Sequence, residues 1–195
     1  VLSSDMDNTD KVVAMVDECR AMKLKMILPD VNACQYAFTL NEKNDIVYGL
    51  GAIKGVGQAA VEDIVLQREQ AGPYVNLFSF CERVDLHKVN RRVLEALIKA
   101  GAMDGFGVHR ASLQASVNNA LSFAEQTKRN QANKQADLFG NNVDEQASAH
   151  ECVAIQTWAE QLRLQNEKDV LGWYASGHPI HQYEKELAFI TSSKI

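Results

Sequence analysis

A run of closely spaced glycines between residues 49 and 57 limits the fold of this chain more than any other feature. Leu50 and Ile53 can face inward on a short helix, and Gly55-Val56-Gly57 then forms a tight turn. Apolar residues recur at helical spacing after the turn. The pattern predicts a helix, a hairpin and a second helix, and glycines 55 and 57 allow positive φ and the close approach of another molecule. Residues 54–58 are called the first hairpin below.

The helix that begins after Gly57 would point its first N–H groups at solvent. These donors have no partner inside the helix, and the helix dipole gives this end a partial positive charge, so it suits a phosphate oxygen. Lys54 stands beside it as a mobile countercharge. A site of this kind contacts the nucleic-acid backbone and does not read the bases.

A second Gly-x-Gly turn follows a strong helical pattern over residues 88–101. Gly105 and Gly107 repeat the spacing of the first hairpin, and an apolar helical face continues behind them. Residues 105–110 are called the second hairpin below. A single Gly-x-Gly between helices is usually a simple turn, but its recurrence favours two helix-hairpin-helix units in tandem.

The segments before the first hairpin predict one helix and one small β-hairpin. Apolar residues over 9–26 share one helical face, with Thr9 or Asp10 as N-cap. Residues 37–40 and 45–48 alternate in polarity around a polar turn, which predicts two antiparallel strands.

The composition changes between Thr127 and Ala149, where Gln, Asn, Lys, Asp and Ala predominate. Such a stretch buries too little apolar surface to fold, so it predicts a flexible tether. Leu138 and Phe139 interrupt it, and exposed apolar pairs usually have a partner. Beyond the tether, residues 158–172 have a helical pattern, and a second short helix is predicted after Pro179.

Charge and composition exclude several classes of protein. The net charge is −5, but residues 1–48, 49–111 and 112–195 carry −3, +1 and −3, so the part that holds both hairpins is the least acidic. The chain has no apolar run long enough to span a membrane and no signal peptide, so we expect no membrane partner and a cytoplasmic location. The chain begins at Val1, and we expect it to be a piece of a longer protein.

The sequence predicts no metal site and no catalytic residue. The four cysteines lie far apart without a C-x-x-C pair, and we interpret them as reduced. His178 and His181 lack a carboxylate or cysteine at ligand spacing, which favours a turn histidine over a metal ligand. The sequence contains no nucleophile elbow and no nucleotide-binding P-loop motif, G-x-x-x-x-G-K-[ST].

Five segments of the chain resemble the alpha subunit of bacterial DNA polymerase III, the C-family of replicative polymerases. They are residues 28–32, 48–57, 90–94, 135–140 and 171–180. The resemblance covers nearly the whole chain, and the segments follow the order of the family. It implies that residues 1–48 end the fingers, 49–126 form a tandem helix-hairpin-helix module, 127–150 form a flexible tether with a clamp-binding motif, and 151–195 form a helical linker toward an OB-fold. The expected fold class is mostly α with a small β-hairpin.

The resemblance also implies two groups of binding residues. Residues expected to hold the backbone of duplex DNA in the first hairpin are Lys54, Gly55, Val56, Gly57 and Gln58. Those of the second hairpin are Gly105, Phe106, Gly107, His109 and Arg110, with Phe106 open to a packing role instead. The residues that resemble the pentapeptide for the hydrophobic pocket of the sliding clamp are Gln135, Asp137, Leu138 and Phe139, with Gln135 as polar hook and the last two as anchors.

The expected function follows from this resemblance. The parent protein would be a DNA-directed DNA polymerase whose partners are primer-template duplex, the sliding clamp (beta subunit) and other replicase subunits. Its chemistry needs closely set aspartates that hold two Mg²⁺ ions. The D-x-D in this chain, Asp5-Met6-Asp7, lacks the family's surrounding pattern, so we expect this segment to be inactive alone and to hold no cofactor. The alternatives are a helix-hairpin-helix module of a DNA repair protein, a helix-turn-helix regulator or a complete small enzyme. The repair module does not explain residues 171–180.

Overall fold

The computed structural model describes residues 2–136 and 151–180, with the side chains of 131–136 left out. These residues form six α-helices and a three-stranded sheet, which confirms the predicted mostly helical fold class. The helices are α1 (Thr9–Ala21), α2 (Gln58–Ala71), α3 (Leu77–Arg83), α4 (Arg91–Ala100), α5 (Arg110–Ala136) and α6 (Glu160–Leu171). The strands are β1 (Met26–Ile27), β2 (Thr39–Leu40) and β3 (Ile46–Val47). Short 3-10 turns span Leu2–Ser4, Leu50–Ala52 and Asp104–Phe106.

Helix α1 is shorter than predicted at its C-terminus, and its N-cap is Asn8 instead of Thr9 or Asp10. The side chain of Asn8 accepts a hydrogen bond from the N–H of Lys11 at 3.2 Å. At the other end Lys23 adopts a φ of 57°, and the N–H of Leu24 donates to the carbonyl of Cys19 at 2.9 Å. This is a Schellman ending. A lysine occupies the position that usually holds glycine, so the sequence gives no stop signal there.

The predicted β-hairpin is present and belongs to a larger sheet. Strands β2 and β3 pair antiparallel, with Thr39 opposite Val47. The turn between them is closed by Asn41, whose side-chain oxygen accepts from the N–H of Asp45 at 2.8 Å. Strand β1 adds to the other side of β3 in parallel, in the order β1-β3-β2. Met26 is the last residue of the stretch predicted as one long helix and Ile27 directly follows it, which is why this strand was not expected.

The core lies where α3 and α4 pack against α5. The side chains of Leu77 and Phe80 in α3, Leu94 in α4 and Leu113 in α5 are fully buried. Their burial holds in place the loop between α4 and α5, which carries the second hairpin.

Helix α5 replaces the start of the predicted tether. Its range extends to Ala136, so residues 127–136 are helical and the boundary drawn at residue 127 lies inside α5. Extending an existing helix costs far less than nucleating one, and residues 110–136 contain neither Gly nor Pro. The ammonium of Lys128 donates to the carbonyl of Val84 at 2.8 Å, which attaches this part of α5 to the end of α3. Residues 137–150 lie outside the described part of the chain.

Helix α6 matches the helical pattern predicted over residues 158–172. It ends at Gly172, which adopts a left-handed φ of 84°. The second helix predicted after Pro179 falls mainly on residues outside the description. None of the helices in the described ranges is both long and apolar enough to cross a bilayer.

Candidate nucleic-acid interface

The first hairpin is a tight turn whose apolar side chains are buried in the core. The side chains of Ile53 and Val56 are buried, and the N–H of Val56 donates to the carbonyl of Ile53 at 3.0 Å. Gly55 has a φ of 90°, a conformation that favours glycine. Gly57 is the N-cap of α2 with a φ of −83°, so the expectation of positive φ holds for Gly55 alone.

Two glycines ahead of the hairpin fit it against the segment before β2. A Cβ at Gly49 would lie 2.7 Å from the carbonyl oxygen of Tyr36, and one at Gly51 would overlap the ring of the same tyrosine. The N–H of Gly51 donates to the Tyr36 carbonyl at 3.0 Å, and the N–H of Leu50 donates to the Gln35 carbonyl at 2.9 Å. The glycines therefore allow a close backbone approach that anchors the hairpin. The sequence did not single out Tyr36 for this role.

The tip of the first hairpin is open to solvent and accessible to a ligand. A Cβ placed at Gly55 or Gly57 would meet no atom within 4 Å. No side chain caps the N-terminus of α2, and its first turn contains no acidic residue. Lys54 and Gln58 are exposed, and the Gln58 amide donates to Glu62 at 2.7 Å along the helix. The start of α2 therefore offers backbone donors and a nearby lysine without a competing carboxylate at the cap.

The second hairpin takes positive φ at its second glycine, whereas the first hairpin does so at its first glycine, and its helix also starts differently. Gly107 has a φ of 73°, and a Cβ there would also meet open space. His109 caps α5, because its Nδ1 accepts from the N–H of Ser112 at 3.2 Å and its carbonyl accepts from the N–H of Leu113 at 3.2 Å. Phe106 is half-buried against the core, which supports its packing interpretation. One donor at the start of α5 is thus already occupied by the protein.

Arg110 is committed to a buried ion-pair network, which argues against its predicted contact with DNA. Its Nε and Nη2 donate to the carboxylate of Asp104 at 2.8 and 2.7 Å, and its Nη1 donates to Glu167 at 2.7 Å. Burial would lower the pKa of Arg110, but the hydrogen bonds and charges of both carboxylates outweigh it and raise that pKa. With 9% of its side chain exposed, the guanidinium cannot face a phosphate without breaking these bonds. The phosphate contact of Arg110 therefore stays a prediction, and these bonds disfavour it.

Glu167 is the buried centre of this network. Its Oε2 accepts from the N–H groups of Ala175 and Ser176 at 2.8 and 2.9 Å, and its Oε1 accepts from the Ser176 hydroxyl at 2.6 Å. Burial would raise the pKa of the Glu167 carboxyl, but the hydrogen bonds from Ser176 and from Arg110 outweigh it and lower that pKa. Sequence analysis missed this residue because nothing in its local pattern distinguishes it from a solvated helix glutamate.

Carboxylates flank the second hairpin on two sides. Asp104 has 52% of its side chain exposed. A Cβ at Gly105 would lie 3.9 Å from the Oδ2 of Asp30. Arg110 and its two carboxylates, Asp104 and Glu167, together carry a net charge of −1, and with Asp30 they present negative charge to an incoming phosphate, which disfavours binding. The two hairpins therefore differ in local charge as well as in which glycine forms the turn.

Comparison with known proteins identifies the type of chain. Residues 23–113 match the helix-hairpin-helix motif family. Over all of this chain, 45% of residues are identical to DNA polymerase III subunit alpha of Vibrio cholerae, and over 96% of it, 47% are identical to that of Escherichia coli K12. The Pseudomonas aeruginosa subunit is 45% identical over the whole chain. The chain is homologous to a segment of the DNA polymerase III alpha subunit. It spans only 17, 16 and 18% of the length of these three relatives, respectively.

This homology confirms the family resemblance. Two features of the alpha subunit, a metal site and a clamp-binding motif, remain to be located in the chain. Among the described residues, no group of three or more His, Cys, Asp or Glu side chains could hold a metal ion. Asp5 of the D-x-D instead pairs with Lys11 at 2.6 Å. In the clamp-like motif the backbone of Gln135 belongs to α5, while Asp137, Leu138 and Phe139 lie outside the described residues.

Proposed function

We propose that this chain is the segment of a bacterial replicative polymerase that holds duplex DNA by its backbone and attaches the polymerase to its sliding clamp. The observation that carries the DNA half is the uncapped, uncrowded start of α2 at the first hairpin. The homology to alpha subunits and the helix-hairpin-helix match support it. The rival module from a DNA repair protein is disfavoured, since the three relatives described above are polymerase subunits.

The first hairpin grips one phosphate of the duplex. A phosphate oxygen accepts from the N–H groups that open α2 at Gln58, where the helix dipole adds a favourable field. Gly55 and Gly57 present no Cβ, so the backbone of the DNA can come close. The ammonium of Lys54 neutralises the phosphate and releases a counterion, which makes binding sensitive to salt. Gly105, Gly107 and His109 belong to the same tandem module, but they face a less favourable charge.

The second half of the proposed function is the clamp contact. Leu138 and Phe139 would insert into an apolar pocket, with Gln135 and Asp137 as polar contacts. A clamp that encircles DNA makes each rebinding event intramolecular, which raises the effective concentration of the polymerase at the primer. In the parent protein, polymerisation with Mg²⁺ would be carried out by residues outside this chain. The described residues supply only the hold on DNA.

Duplex binding tests the first half. We would measure fluorescence anisotropy of two unrelated labelled duplexes over a range of KCl concentrations. Lys54→Gln and Gly57→Val should weaken binding to both duplexes equally, and Lys54→Gln should reduce the salt slope by about 0.9. Lys43→Gln changes an exposed lysine in the β2–β3 turn and serves as the matched control. A strong preference between the duplexes, or an equal loss with the control, would contradict the proposal.

Calorimetry with a bacterial sliding clamp tests the second half. The unmutated chain should bind, and the double change Leu138→Ala and Phe139→Ala should abolish binding, because two apolar anchors are lost. Duplex binding by the double variant should stay unchanged. Retained clamp binding would show that the contact lies elsewhere on the chain.

A further inference from the structure

Helix α6 is bonded to both hairpins. The carbonyl of Val170 accepts the N–H of Lys54 at 2.8 Å, and the carboxylate of Glu167 accepts from Arg110 at 2.7 Å. Glu167 and Val170 stand three residues apart, so both contacts arise within one turn of α6, one from a side chain and one from a backbone carbonyl. One turn of this helix therefore connects the second hairpin to the first.

The bond from Lys54 to Val170 is unusual in its position. Among the backbone hydrogen bonds of the described residues, it is the one that joins residues 54–57 to a segment beyond the turn itself and the adjoining α2. The other anchors, at Leu50 and Gly51, come before the turn. Gly55 follows directly with its positive φ and open surroundings, and the buried side chains of Ile53 and Val56 are the other anchors of the turn.

We infer that Glu167 and Arg110 are positioning residues of the first hairpin. Their ion pair fixes the register of α6 against the second hairpin, and Val170 passes that position to the backbone of Lys54 and so to the phosphate site. The consequence for DNA rests on the proposed function. Glu167 also holds the N–H groups of Ala175 and Ser176, so the loop that follows α6 is attached to the same point. A displacement of this loop would change the hold on the duplex without any new contact to DNA.

Amide hydrogen exchange of the full chain tests the positioning role without DNA. In Glu167→Gln the new side-chain NH₂ group must face an N–H of Arg110 or of residues 175–176, and two donors cannot bond to each other. We therefore expect α6 to shift. Exchange at Lys54 should rise by about fivefold, the factor expected for one lost hydrogen bond. Exchange at Leu50, whose N–H donates to Gln35, should stay unchanged. Glu95→Gln makes the same chemical change at the exposed ion pair with Arg91 and should alter neither amide.

Duplex affinity supplies the second measurement. Glu167→Gln should weaken binding about as much as Lys54→Gln, and the double variant should show little further loss, because both changes act on one phosphate contact. Ser176→Ala is the milder variant if Glu167→Gln fails to fold. It removes one hydrogen bond to Glu167 and should move the Lys54 amide in the same direction by a smaller factor.

The outcomes separate the two ideas. Unchanged exchange at the Lys54 amide overturns the positioning role, because it shows that Glu167 does not affect this residue. Equal acceleration at Lys54 and Leu50 also overturns it, because it shows that the whole region opens. Full additivity of the affinity losses also overturns it. A Lys54 amide that responds in a chain whose unmutated form binds no duplex would support the positioning role and overturn the proposed function.

Discussion

Replacing Arg110 by methionine should destabilise the fold far more than a surface ion pair would suggest. The change removes the guanidinium and leaves the Glu167 carboxylate with none of its side chain exposed and no countercharge. Breaking a buried pair by removing one partner costs about 3–5 kcal/mol. Three hydrogen bonds from Ala175 and Ser176 still reach Glu167, which places the expected loss at the lower end, about 3 kcal/mol. Asp104 is half exposed and returns to water at little cost.

Urea unfolding followed by circular dichroism measures this loss directly. A reduction of about 3 kcal/mol in the free energy of unfolding corresponds to a fall in Tm of roughly 6–12 °C for a chain of this size. Arg91→Met is the matched control, because its pair with Glu95 has the same 2.7 Å distance but is 60% and 27% exposed. Exposed pairs contribute about 0–1 kcal/mol. If Arg110→Met lost no more than Arg91→Met, the ion pair would not be a structural link between α5 and α6.

Three further predictions concern pH, glycine packing and the length of α5. The pKa of Glu167 is lowered in the folded state, so the stability that its carboxylate contributes should be complete above the unfolded pKa of about 4.3. That stability should be lost as the pH falls through the folded pKa. Glu167→Gln should therefore flatten this part of a plot of Tm against pH. Gly49→Ala should lower the free energy of unfolding in urea by about 1–3 kcal/mol, because the new Cβ overlaps backbone atoms. Gly57→Ala, which has open space and an ordinary φ, should lower it by less than about 1 kcal/mol. Similar losses in the two variants would contradict the close fit at Gly49. Lys128→Met should speed amide exchange in residues 124–130 by removing the hydrogen bond to Val84, and fast exchange there in the unmutated chain would restore the tether prediction.

Local patterns predicted the hairpins because glycine spacing constrains the backbone directly. Gly55 requires positive φ, and the polar residues around Asn41 favour a turn between strands, so each signal lies in the residues that form the structure. The residues at which helices end were less predictable. Helix α1 ends at a lysine with left-handed φ, where propensity gives no signal, and α5 continues into polar residues because the helix already existed.

The side-chain chemistry of the site was less predictable than its backbone, since it depends on residues far away in the sequence. Arg110 follows the second hairpin as a DNA-binding arginine would, and nothing within ten residues reveals its partner Glu167. Asp30 reaches the same hairpin from the loop before β2. Sequence spacing therefore predicted two phosphate sites but gave no signal of the carboxylates that lie beside the second one.

The difference between the two hairpins follows from what each must do inside the fold. A helix start can use its N–H donors and its neighbouring cation for a ligand only if the protein does not need them. The second hairpin uses its arginine and one N–H donor inside the fold, with Arg110 bonded to Glu167 and the N–H of Ser112 bonded to His109. That arrangement attaches α6, and α6 in turn holds the backbone of Lys54. The repeated motif thus supports a division of roles, in which the second hairpin stabilises the position from which the first one can bind a phosphate.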